Sequence, residues 1–118
     1  MNKNDYIYAV LNNKIERGRV AQVEAVYGVK LNDTVAKLLS YAGTVGFFDE
    51  ERRALTFDEI INAKNDLGID VVGMGILPLI DAYDCSYIVY LTKEGKWARF
   101  STADSLVYYR KDTLEEVI

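Results

Sequence analysis

Histidine is absent from this chain, and cysteine, proline and tryptophan occur once each. Without histidine there is no Ser-His-Asp or Cys-His arrangement and no histidine-based zinc site. A single cysteine forms no internal disulfide, so a cytosolic, reduced protein is the simplest reading. No apolar run approaches the ~20 residues of a membrane span. The longest, VVGMGILPLI, carries two glycines and a proline. The opening MNKNDYIYAVLNNK mixes charges and amides into its apolar pattern, unlike a signal peptide. Phosphate-cradling glycines are missing too. GTVGFF and GMG match neither a P-loop nor a dinucleotide fingerprint, and GMG lacks the third glycine and the following helix.

What remains is an ordinary globular balance. Half of the 118 residues are hydrophobic and 27% are charged, enough for one domain with one core, taken over 1–118. No repeat or low-complexity tract divides it. The formal net charge is −4, but unevenly spread: residues 1–30 carry five basic and three acidic groups, residues 49–70 three basic and seven acidic. Such an acidic surface argues against nucleic acid as the direct partner and suits a basic protein or simply water.

Helical periodicity dominates the first half. NDYIYAVLNNKIERG sets Tyr6, Val10 and Leu11 on one side. RVAQVEAVYG does the same with Val20, Val23, Val26 and Tyr27, and Gly28 is a usual helix stop. In NDTVAKLLSYAG, Val35, Leu38, Leu39 and Ala42 form a stripe, with Asn32 or Asp33 as cap and Gly43 as terminator. GTVGFF reads as a short strand. LTFDEIINAKNDLGI gives the clearest signal: Thr56 with Glu59 forms a capping box, Leu55 and Ile60 a hydrophobic staple, and Gly68 a stop.

From residue 71 the chain reads as strands. VVGMGILPLI is a candidate strand whose Pro78 belongs at an edge or an end. SYIVYLT is β-branched and aromatic, as a central strand should be. KEG turns a hairpin into KWARFST, SLVYYR adds a strand, and DTLEEVI starts a short helix capped through Asp112 and Glu115. Helices followed by a mostly antiparallel sheet make an α+β domain.

The stretch ILPLIDAYDCSYIVYL concentrates the unusual residues. Cys85 as a nucleophile would need a base or a positive setting. Its neighbours Asp81 and Asp84 would raise its pKa, so a small buried residue at a strand start is the better reading. Asp81 with Asp84, or the run Asp49, Glu50 and Glu51, could serve as acid/base pairs or bind a divalent cation. Neither group has a diagnostic pattern: FDEERRALTFDE lacks the order of a calcium loop, and a charged surface loop is the better reading of these residues. Tyr83, between two acids, is either a packed loop anchor or a partner contact. A sheet-side ligand pocket of Tyr87, Trp97 and Tyr108 is a further option.

Four segments together resemble the SUKH superfamily, which includes a fungal regulator of cell-wall synthesis. VEAVYGVKLNDTVAKLLSYAG is similar to its opening block of helix, Y-G turn and amphipathic helix, with Leu31 as the leading hydrophobe and Asn32 where proline is usual. ALTFDEIINAKNDLGID resembles its middle helix. ILPLIDAYDCSYIVYLTKEGKWARF resembles the signature strand, proline-led turn, acidic loop and hairpin, and SLVYYRKDTLEEVI the closing strand and helix. The resemblance spans about residues 20–118, leaving 1–19 as an added N-terminal helix. The family's acidic loop often carries glycines; DAYDCSY has none, so its shape must differ.

The resemblance implies a SUKH-like fold and a binding function without catalytic residues, cofactor or metal. Bacterial members are mostly immunity proteins that neutralise a toxin domain, often a nuclease, encoded nearby. The expectation is therefore a cytoplasmic, non-enzymatic immunity protein, with a regulatory module of the same fold and no toxin as the alternative. Its candidate contact residues are Asp49, Glu50, Glu51, Asp81, Tyr83, Asp84, Tyr87 and Trp97.

Overall fold

A computed structural model describes residues 2–41 and 49–118. Three helices lead: α1 Lys3–Leu11, α2 Arg17–Tyr27 and α3 Asp33–Tyr41. A two-residue strand, β1 Arg53–Ala54, precedes three short helices, α4 Phe57–Ile61, α5 Ala63–Leu67 and α6 Val71–Met74. Four strands follow, β2 Ile76–Asp81, β3 Ser86–Leu91, β4 Lys96–Ser101 and β5 Leu106–Lys111, then α7 Leu114–Val117. The sheet order is β1-β2-β3-β4-β5, and every neighbouring pair is antiparallel. The domain is thus α+β, as expected.

Local chemistry sets most boundaries. Asn2 starts α1 by accepting the Asp5 N–H, and Asn32 accepts the Val35 N–H at the start of α3. Gly28 and Gly68 close α2 and α5 in the left-handed conformation. The Thr56–Glu59 capping box forms in both directions, and the staple residues Leu55 and Ile60 are buried. The stripe of α3 (Val35, Leu38 and Leu39) is fully in the core. GTVGFF and the end of the α3 pattern at Ala42 and Gly43 lie outside the described residues.

Five expectations are corrected. The first helix ends at Leu11, because the Asn12 side chain turns back to the Tyr8 carbonyl; residues 17–19 already belong to α2. Leu11 and Val26, expected on buried faces, are exposed. The middle helix breaks at Asn62, whose backbone leaves helical geometry while its side chain bonds the Asp58 carbonyl. VVGM is a helical turn, not a strand: Asp70 caps it through the Gly73 N–H, and Gly75 in the left-handed region turns the chain into β2. The last helix is capped by Thr113 and Glu116, one residue later than expected, while Asp112 pairs with Lys96.

β3 lies at the centre of the sheet, and its consecutive residues Ile88–Leu91 are all buried, so this part of the sheet is covered on both faces. Pro78 pairs with Val89 on one side and sits beyond the end of β1 on the other, where no N–H is needed. Tyr27, buried in the core, donates its hydroxyl to the Ile60 carbonyl at 2.9 Å, joining α2 to α4. Burial pushes the Tyr27 phenol up, as it does for Tyr6.

Candidate functional site

The shortest strand positions the site. Arg53 pairs with Asp81 and Ala54 with Ile80, so the residues before β1 run beside the loop that follows β2. This register brings the acidic run 49–51 to the loop 82–85. Glu50, Glu51, Arg52, Ala82, Tyr83, Asp84 and Arg99 line an open hollow of about 400 Å³ at that end of the sheet.

The carboxylates divide into two groups. Asp49 and Asp81 are structural. One Asp49 oxygen accepts the N–H groups of Glu51 and Arg52 at 2.8 Å each, and the other accepts the Arg52 guanidinium at 2.9 Å. Burial works against its ionisation, but the Arg52 and backbone hydrogen bonds outweigh that and hold the carboxyl below its usual range. Asp81 accepts the Tyr83 N–H at 2.8 Å and lies 3.6 Å from Arg53. Glu50 and Asp84 are exposed, and Glu51 is 81% exposed and lies 3.4 Å from Arg52. The charge available to a partner is therefore that of Glu50, Glu51 and Asp84.

Arg53 is the hub beneath. Its guanidinium meets both Glu59 oxygens, at 2.7 and 2.9 Å, while Glu59 also closes the capping box. The Arg53 hydrogen bond is the main cause that lowers Glu59 to about 2. A carboxyl depressed in the folded state contributes stability above its unfolded value near 4.5 and loses it as pH falls toward 2. The side chain is about a third exposed, which trims the contribution to about 1 kcal/mol. In urea unfolding across that window, Glu59→Gln is expected to lose less stability on acidification than the native chain. Parallel curves would refute this linkage.

The loop itself has an uncommon backbone. Tyr83, Asp84 and Cys85 are all left-handed, with φ of 61°, 49° and 62°. L-residues enter this region at about 1–2 kcal/mol each and rarely in succession. Hydrogen bonds hold them there. The Ser86 N–H reaches the Tyr83 carbonyl and the Ala82 N–H the Ser86 carbonyl, both at 2.9 Å. The Thr102 N–H and hydroxyl both donate to the Cys85 carbonyl, tying the loop to the end of β4. This is how a loop without glycine makes its turn. Cys85→Gly is expected to raise stability by about 0.5–1 kcal/mol in urea unfolding, because it relieves a Cβ clash at an exposed position. A loss of stability would show the turn to be unstrained.

Three sequence expectations fail here. Cys85 is exposed, not buried, because the left-handed turn carries it out of the strand. Trp97 is 3% exposed and packs edge-on against Tyr90 with ring centres 5.3 Å apart, so it presents no surface to a partner. Tyr87 and Trp97, expected to line one pocket with Tyr108, lie on opposite faces of the sheet. Trp97 pairs with Tyr90, three residues from Tyr87 on β3, so Tyr87 faces the other side of the sheet. Tyr87 is half-buried beside a small cleft with Leu55, Glu59 and Leu67. Burial, then the Asp81 charge, raises its phenol. Tyr108 stands on the exposed side of β5 and bonds Ser86 at 2.8 Å.

The arginines Arg52, Arg53 and Arg99 are the residues that sequence reasoning missed. Arg99 joins the hollow while its Nε donates to the Val117 carbonyl of α7 at 3.1 Å. The spacing of Asp49 and Arg52, three apart in DEERR, was the available sign of an internal ion pair. Among the described residues no three His, Cys, Asp or Glu side chains gather as a metal ion would require, and no helix is long and apolar enough to cross a membrane. No family model, curated protein or solved structure matches the chain.

Proposed function

We propose that this chain is a non-catalytic protein-binding module, and that it acts as a cytosolic immunity protein of the SUKH type, covering the working surface of a toxin domain. One observation carries the reading: the β1–β2 register sets exposed Glu50, Glu51 and Asp84 around a hollow beside Tyr83, on a loop held by its own hydrogen bonds. Carboxylates in that position attract a basic surface and speed its approach. A nuclease active site is such a surface, because its substrate is a polyanion. Tyr83 supplies an amphipathic ring with little rotamer freedom to lose, and the fixed loop lowers the ordering cost of binding. Asp49 and Asp81, bound to arginines, hold the surface rather than contact the partner.

The test is calorimetry with an inactive form of the toxin-like domain encoded beside this gene. Tight one-to-one binding that weakens with salt supports the reading. Absence of binding, or of such a neighbour, favours a regulatory module of the same fold, whose partner an unbiased pull-down would identify.

A further inference from the structure

The outer strand of the sheet carries features that the toxin-binding reading does not use. Among the described residues β5 has a neighbouring strand on one side only. Its Leu106, Tyr108 and Tyr109 are 60%, 42% and 55% exposed, an apolar row on an open strand edge. The row is bounded symmetrically. Ser105 and Tyr109, with φ of 58° and 60°, flank Leu106, Val107 and Tyr108, so three residues remain for a regular ladder. Charge follows the same symmetry: Asp104 and Arg110 lie three positions either side of Val107 with opposite signs.

We propose that two copies of this chain pair antiparallel through β5, about a two-fold axis at Val107. A two-fold normal to the sheet pairs residues whose separation is even, so few registers compete. Centred on Val107, Leu106 meets the second copy's Tyr108, and each Asp104 comes within reach of the other copy's Arg110. Centred on Tyr108, Asp104 would oppose Asp112; centred on Leu106, both ion pairs would be lost. Arg110 now bonds Glu94 at 3.1 Å in a half-exposed pair, so exchanging partners costs little. The ion pairs fix register, and the ladder with its apolar row holds the copies together. The dimer is weak, as suits an interface of three residues a side. It is also closed: pairing consumes β5, and the opposite edge, β1, has two residues.

Sedimentation equilibrium of the whole chain from micromolar to millimolar concentration tests this, with circular dichroism confirming that each variant folds. The native chain is expected to show a concentration-dependent dimer. Arg110→Asp, which sets acid against acid twice, is expected to weaken it at least tenfold. Combining Arg110→Asp with Asp104→Arg is expected to restore it. A native chain that stays monomeric to millimolar concentration overturns the proposal. So does a dimer that tolerates Arg110→Asp, or one lost there and not recovered by the exchange. None of these outcomes depends on a toxin partner.

Discussion

Phe100→Ala is expected to cost about 3–5 kcal/mol, the usual loss when a fully buried aromatic side chain is truncated and its cavity stays partly open. Phe100 is 0% exposed and sits on β4 directly between Tyr87 of β3 and Val107 of β5. It is thus the ring against which the loop-bearing strand and the edge strand are both set. A domain of this size has about 5–15 kcal/mol in total, so the variant would be near its folding threshold. Urea unfolding should show a lower midpoint at nearly unchanged slope. A loss under about 1 kcal/mol would mean that this part of the sheet is not packed as described.

The second large effect concerns binding. Reversing Glu50, Glu51 and Asp84 together to lysine is expected to slow association with a basic partner by about 10–100-fold at low salt, with the difference shrinking as salt is added. Stability should change by no more than about 0.5 kcal/mol, because these side chains are exposed and, among the described residues, Glu51 alone of the three makes an ion pair, at 3.4 Å. Asp81 is excluded from the set for a structural reason. Its carboxylate faces Arg53 and holds the Tyr83 N–H, so reversing it would disturb the loop and confuse binding with folding. Stopped-flow association kinetics against the proposed toxin partner would read the effect, and an unchanged rate would make the acidic rim a bystander.

Much of the scaffold was legible because its signals are local. The capping box at Thr56, the staple of Leu55 and Ile60, and the stops at Gly28 and Gly68 each involve residues within a few positions of one another. The strand, loop and strand of ILPLIDAYDCSYIVYL followed from composition and punctuation, although VVGM, read into the first strand as VVGMGILPLI, is helical. The illegible parts depend on tertiary partners or on competing side chains. Asn12 and Asn62 end helices by bonding backwards, an alternative that periodicity does not register. Nothing in DAYDCSY announces three left-handed residues in a row, since the bonds that hold them come from Asp81, Ser86 and Thr102.

The site was half legible for the same reason. Both acidic clusters were visible as sequence, but their meeting depends on β1, two residues long and below what patterning can detect. The arginines that bind Asp49 and Asp81 follow from that meeting, so five similar carboxylates separate into two structural and three available ones only in three dimensions. Trp97 looked like an anchor because tryptophan favours interfaces, yet its place opposite Tyr90 puts it in the core.

Amide hydrogen exchange, recorded for the chain alone and with an inactive form of the proposed toxin partner, addresses the proposed binding surface directly. Binding through this surface requires new protection in residues 49–53 and 82–87, with the helices α1 to α3 unchanged. Protection confined to those helices or to β5, leaving the loop and the acidic run exchanging as before, would contradict it.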